Sequence, residues 1–195
     1  MGFRDPRGGP MTDSPTEQLR HEHELVLMVV EAMEREVADI GKTGRVHRER
    51  VAQMVDFTRN FTDGCHHSKE ERVLFPALEE RDAAAGGPVS VMLSEHEAGR
   101  EAIRAIDAAL PDVDESEAAR AAVAENLALY AHLLRLHINK ENTVLFPLAE
   151  RMLSDQEQEM LAAEFERIEE EETGAGVHQR YHELAHTLAT PPAKD

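Results

Sequence analysis

The chain has 195 residues, enough to bury a sizeable core without disulfide staples and without need of a second domain. Charged residues make up 31% and aromatics only 4%, with no tryptophan, a balance that favours long helices over a β-rich fold. The formal charge of −18 argues against nucleic acid and anionic membrane surfaces as partners, because phosphate neutralisation needs clustered Lys and Arg, and it suits attraction of metal cations.

Residues 1–14 are rich in Gly and Pro and lack an apolar stretch, so a disordered leader is expected there rather than a signal peptide or anchor. The first helix follows, with Leu19, His23, Val26, Val30, Met33, Val37 and Ile40 spaced alternately by four and three, and Gly41 and Gly44 stop it. The second is less regular. Val51, Met54, Val55, Thr58 and Phe61 drift by about one residue before His66, Glu70, Val73 and Ala77 resume the stripe. Pro88 opens a third helix with Val89, Met92, His96, Gly99, Ile103, Ile106 and Leu110 on one face, and Pro111 closes it. The fourth carries Val123, Leu127, Tyr130, Leu134, His137, Glu141, Val144 and Leu148. Pro76 and Pro147 should kink or restart the second and fourth helices. These stripes predict an all-α, antiparallel up-down four-helix bundle over residues 15–153. A helical extension follows over 154–195, a fifth helix capped by Ser154 and running to about Glu172, a break at Gly174 to Gly176, and a sixth over 177–188. No run approaches the ~18 apolar residues of a membrane span. Cys65, the single cysteine, permits no internal disulfide, and a cytoplasmic monomer or homodimer is expected.

One phrase occurs twice. His66, Glu70 and Leu74-Phe75-Pro76 return as His137, Glu141 and Leu145-Phe146-Pro147, displaced by 71 residues, and His23 corresponds to His96 upstream. A His and a Glu four apart share one helix face, so both can reach a single centre. A lone His-x-x-x-Glu is ordinarily a surface pair. Six residues falling on four apolar stripes are another matter: an ionised carboxylate in a bundle core costs several kcal/mol unless paired, and no Lys or Arg sits inward near Glu70 or Glu141. Two metal ions would resolve this, His23 and His66 on one, His96 and His137 on the other, with Glu70 and Glu141 able to bridge.

Weaker candidates surround these six. His67 and Glu71 offer a competing register that the match to His137 and Glu141 rejects, leaving His67 to support a ligand or face solvent. Asp63 could accept a hydrogen bond from a ligand imidazole, and Tyr130 shares the stripe of His137 and could serve an oxidant, although core packing is the simpler account. Cys65 points about 100° from His66 and reads as a small buried hydrophobe. His178, His182 and His186 form a row in the extension whose simplest explanation is an amphipathic helix covering the bundle.

Cys65-His66-His67-Ser68-Lys69-Glu70-Glu71 ahead of Leu-Phe-Pro, in the order H, HxxxE, H, HxxxE, resembles the hemerythrin-like, or HHE cation-binding, family and its bacterial members across about residues 17–153. The resemblance implies a non-heme centre of two iron ions, oxo- or hydroxo-bridged, that binds dioxygen, peroxide or nitric oxide. Oxygen carriers of the family have a fifth histidine four residues after that of the third helix, where this chain has Arg100. Fewer imidazoles leave more positions for oxidant, so hydrogen peroxide turnover of a catalase-like kind ranks above oxygen carriage. A sensor or storage module for dioxygen, nitric oxide or iron is the alternative. Repair of iron centres ranks lower on sequence, because such proteins usually carry a Cys-rich region. Manganese or zinc fits less well than iron, zinc preferring thiolates or more histidine.

Overall fold

The computed structural model describes residues 13–172, 174 and 177–191. The expected leader lies outside these apart from Asp13 and Ser14. Ser14 caps the first helix, accepting from the Glu17 amide while the Glu17 carboxylate accepts from the Ser14 amide, a capping box of about 1 kcal/mol. That helix, α1 (Pro15–Thr43), runs through Gly41 and ends at Gly44, whose φ of 68° lets its amide reach the Ile40 carbonyl. The expected stop at Gly41 is therefore not used: nothing crowds it, and one exposed glycine costs a helix only about 1 kcal/mol.

The second bundle helix is continuous from Arg48 to Arg81 but changes its winding. It begins as α2 (Arg48–Phe57), widens to π geometry over Thr58–His67 and again over Glu70–Leu74, and resumes as α3 (Phe75–Arg81). The one-residue drift of its apolar stripe is the sequence signature of this widening, since a π turn bonds i to i+5 and absorbs an extra residue. α4 (Gly86–Ala109) and α5 (Glu117–Lys140) complete the bundle, and α5 passes through a π segment at Glu141–Leu145 into α6 (Phe146–Met152). Pro76 and Pro147 each stand in the first turn of the α segment behind a π segment, which accommodates the missing amide without breaking the helix.

Short connections make sequential helices antiparallel, and α1 packs on α5 as α4 does, so the four helices close into a ring. No strand occurs among the described residues. No helix is long and apolar enough to cross a membrane.

Two apolar clusters fill the ring. One gathers Val29, Met33, Met54, Phe57, Ile106 and Leu127; the other Leu19, Leu74, Phe75, Val89 and Phe146. On every bundle helix the key histidine falls between residues of one cluster and residues of the other. The His/Glu layer is thus a polar slab sandwiched in hydrophobic core, each fully buried phenylalanine of which stabilises the fold by about 1.5–3 kcal/mol.

The extension lies against this bundle. α7 (Asp155–Glu172) adds Phe165 and Ile168 to the second cluster, and α8 (Val177–Ala189) adds Tyr181, Ala185 and Leu188 to the first. Arg35 and Arg50 donate to the last carbonyls of α8, satisfying its C-terminus with positive charge. Of the expected break at Gly174 to Gly176 only Gly174 is described, at φ 69°.

Candidate metal centre

The six predicted residues meet in the polar slab. His23, His66, His96 and His137 are each 1% exposed, and Glu70 and Glu141 are wholly buried. The carboxylates span the space between histidines. Glu70 sets Oε1 3.7 Å from His66 Nε2 and Oε2 3.4 Å from His96 Nε2. Glu141 sets Oε2 3.2 Å from His23 Nε2 and Oε1 3.2 Å from His137 Nε2. Each glutamate therefore faces one histidine of either pair, which is the disposition a bridging carboxylate needs.

Ligand atoms of His23, His66, Glu70 and Glu141 lie within 4.8 Å of one another, and so do those of His67, Glu70, His96 and His137. The two groups share Glu70, and they divide the four expected histidines into the pairs that the sequence suggests.

Every histidine presents Nε2 inward because something outside holds Nδ1. His23 Nδ1 lies 3.1 Å from Asn142 Oδ1, His66 Nδ1 2.9 Å from Glu22, His96 Nδ1 2.7 Å from Glu71, and His137 Nδ1 3.0 Å from Glu95. Such acceptors fix the tautomer and raise the basicity of a ligating nitrogen. Glu22 is in turn bonded by Lys69, and Glu95 by Lys140. Phe75 stacks against His96 at 5.9 Å and Phe146 against His23 at 5.4 Å, so the Phe of each Leu-Phe-Pro supports the histidine of the opposite hairpin. Sequence reasoning missed these acceptors, yet their signal was present: a glutamate immediately precedes both His23 and His96, and a polar residue immediately follows both Glu70 and Glu141.

Asp63 does not serve His66, whose Nδ1 belongs to Glu22; it lies 3.2 Å from His67 Nδ1 instead, since residues four apart meet on a helix face. His67 is only 4% exposed, which removes the solvent-facing alternative. The physical reason is the π segment: a wider turn rotates successive side chains by a smaller angle, so His66 and His67 both point inward. Cys65 is buried, and burial pushes its thiol up to about 12.

The electrostatics expose what the side chains lack. Burial, and the neighbouring Glu141, push Glu70 well above the usual carboxylate range; Glu141, also opposed by burial, is held well below it by His137 and His23. Burial lowers His66 to about 4 against the pull of Glu22. All four oxygens of the two glutamates, and His23 Nε2, are buried without a geometrically sound hydrogen bond, despite the short separations above. Lys69, the buried cation nearby, is committed to Glu22 at 2.5 Å and Glu169 at 3.0 Å. Inward imidazole nitrogens around orphaned carboxylates form a donor set for hard to borderline divalent or trivalent metals.

This geometry agrees with the comparisons to known proteins. The family model for the hemerythrin HHE cation binding domain matches residues 14–149. The chain belongs to the hemerythrin HHE cation-binding family. Among curated relatives of this HHE chain, the iron-sulfur cluster repair protein YtfE of Edwardsiella ictaluri is 35% identical over 137 residues, covering 67% of this chain and 59% of the relative. The protein of the same name from Escherichia coli is 30% identical over 139 residues, covering 67% and 60%, and that from Dickeya chrysanthemi 33% over 119, covering 56% and 54%. The HHE chain therefore spans three-fifths or less of the length of these relatives.

Two further features adjoin the slab. A cavity of about 130 Å³ is lined by His67, His96, Gly99, Arg100, Tyr130 and His137, with room for a few water-sized molecules. Tyr130 is 2% exposed with its hydroxyl unbonded and, by burial, harder to ionise than usual; it lines this cavity without reaching the glutamates. On the opposite side, His178, His182 and His186 edge a groove of about 460 Å³ between α8 and α1 that also holds His21, Glu24 and Lys69. Glu22, Glu169 and His178 converge there, but the Lys69 ammonium already spans both carboxylates.

Proposed function

We propose that this HHE protein is a cytoplasmic, non-heme di-iron protein that binds a small oxidant and disproportionates hydrogen peroxide to dioxygen and water. The observation that carries the metal is the set of four buried, unbonded carboxylate oxygens facing inward imidazoles, a constellation that is costly as it stands and satisfied by two cations. His23 and His66 would hold one ion, His96 and His137 the other, with Glu70 and Glu141 shared. Two irons held there would supply reversible electron exchange.

The chain's own residues do the rest. The two glutamates neutralise part of the cationic charge inside a dry core, and Glu22, Glu71 and Glu95 hold three of the imidazoles in the ligating tautomer. The apolar clusters on either side exclude bulk water. The cavity beside His96 and His137 has room for molecules of the size of peroxide, dioxygen or nitric oxide. Iron-loaded protein given hydrogen peroxide is expected to evolve dioxygen at an oxygen electrode, with loss of activity on Glu141→Ala. Full iron occupancy without oxygen evolution would discard peroxide turnover and keep the metal centre.

A second reading is favoured by the relatives' printed names: the centre would handle iron or nitric oxide in the service of iron-sulfur cluster repair. Restoration of activity to a damaged iron-sulfur enzyme by the iron-loaded protein, in the absence of peroxide turnover, would select it.

A further inference from the structure

We propose that α8 carries a cation site of its own, outside the buried centre, at which His182 and His186 chelate one late first-row divalent ion of the Ni(II), Cu(II) or Zn(II) class. The site shares no residue with the six donors of the centre, so it stands independently of the di-metal reading.

His182-Glu183-Leu184-Ala185-His186 is a His-Glu-x-x-His phrase, the spacing that sets two imidazoles on one helix face for an ion such as zinc. A phrase this short needs a helix, a shared face and an open side before it carries weight. All three are present. Val177–Ala189 is helical, the two rings stand 4.7 Å apart at 47°, and both edge the groove of about 460 Å³ between α8 and α1. The buried pairs have the same spacing: His23–His66 and His96–His137 are each 4.7 Å apart, at 62° and 63°.

α8 is also firmly seated. Tyr181, Ala185 and Leu188 bury in the first apolar cluster, and Arg35 and Arg50 hold the C-terminal carbonyls. The helix therefore presents both imidazoles before an ion arrives, which lowers the entropic cost of chelation. Their nitrogens are uncommitted: among the described residues no hydrogen bond or ion pair engages either ring, whereas His47 is bonded to Glu36 and His21 approaches Asp13. The strongly negative chain favours cation capture there.

His178, the third of the row, takes no part. It stands two turns from His186, too far for one ion to bind both, and its ligand atom lies within 4.8 Å of those of Glu22 and Glu169, which Lys69 already joins. Glu183 occupies the place of the general base in hydrolytic His-Glu-x-x-His sites. Here it accepts from the Gln179 amide at 2.9 Å and stands outside the groove lining, so the pair binds an ion without a base aimed at its solvent. Two imidazoles without a bridging carboxylate give affinities that rise along the series to Cu(II), unlike the mixed His/Glu donors of the centre.

The test titrates the full chain with Ni(II) in a calorimeter beside a His182→Ala/His186→Ala double variant. The wild type should take up one equivalent more than the double variant, whatever the buried centre takes. Each single variant should bind that ion on the order of 10–100-fold more weakly or worse, since loss even of a group that only supports a ligand costs that much. Equal stoichiometry and affinity in the wild type and the double variant, both folded by circular dichroism, would overturn the site. His178→Ala should leave the extra equivalent in place; its loss there would overturn the pairing of His182 with His186.

Discussion

The two halves of the chain carry the same His-x-x-x-Glu-x-x-x-Leu-Phe-Pro phrase yet build different surroundings for it. In the first half the phrase lies in long π-helical stretches, His66 is backed by a buried Glu22, and Glu22 is neutralised by a Lys69 that is 1% exposed. In the second half only the stretch from Glu141 is π-helical, and His137 is backed by a Glu95 that is partly open to solvent, as is its partner Lys140. A shared motif thus fixes which atoms converge, while its context decides how costly each support is to remove.

The comparison can be broken most severely at the shared carboxylates. Glu70→Ala and Glu141→Ala should each reduce the metal content, measured by inductively coupled plasma mass spectrometry, from two ions toward none, because each glutamate faces both pairs; retention of two ions by either variant would refute bridging. Removal of both ions by a chelator should come next. If they are bound a hundredfold above their dissociation constant, each contributes about 2.7 kcal/mol, and the melting temperature should fall by about 10–20 °C in calorimetry.

The supporting pairs should separate the halves. Glu22→Ala strands the buried Lys69 with Glu169 alone and should cost about 3–5 kcal/mol in denaturant unfolding, whereas Glu95→Ala, which releases Lys140 to solvent and leaves only His137 Nδ1 unpaired, should cost about 1–2 kcal/mol. Equal losses would mean that the depth of the first pair is irrelevant. The smallest effect is expected at Gly99. An added Cβ would meet Tyr130 Cε2 at 3.3 Å, so Gly99→Ala should shift stability by about 1 kcal/mol at most and slow azide binding to the iron-loaded protein in stopped-flow, by narrowing the cavity.

Much of the molecule was legible in the residues. Alternating four-three spacing revealed the bundle, and the repeat revealed His23, His66, Glu70, His96, His137 and Glu141, because burying a carboxylate against apolar stripes makes sense only with a compensating charge. The solvent-facing alternative for His67 failed for a definite reason. The α-helical angle of 100° per residue turns it away from His66, and the π winding that brings it back was visible only as a one-residue drift among Val51, Met54, Val55, Thr58 and Phe61. Asp63, offered as an acceptor for a ligand imidazole, faces His67 by the same geometry.

The sequence by itself determined the helices, their pairing into two hairpins and the chemistry of the inward donors, since periodicity and residue type are local properties. Which nitrogen of each ring faces inward, and which glutamate, aspartate or asparagine holds the other, was decided only when helices distant in the chain came together. Those contacts join Glu22 to His66, Glu71 to His96, Glu95 to His137 and Asn142 to His23; adjacency in the sequence marks these residues as candidates, but which ring across the bundle each one holds is not a local property.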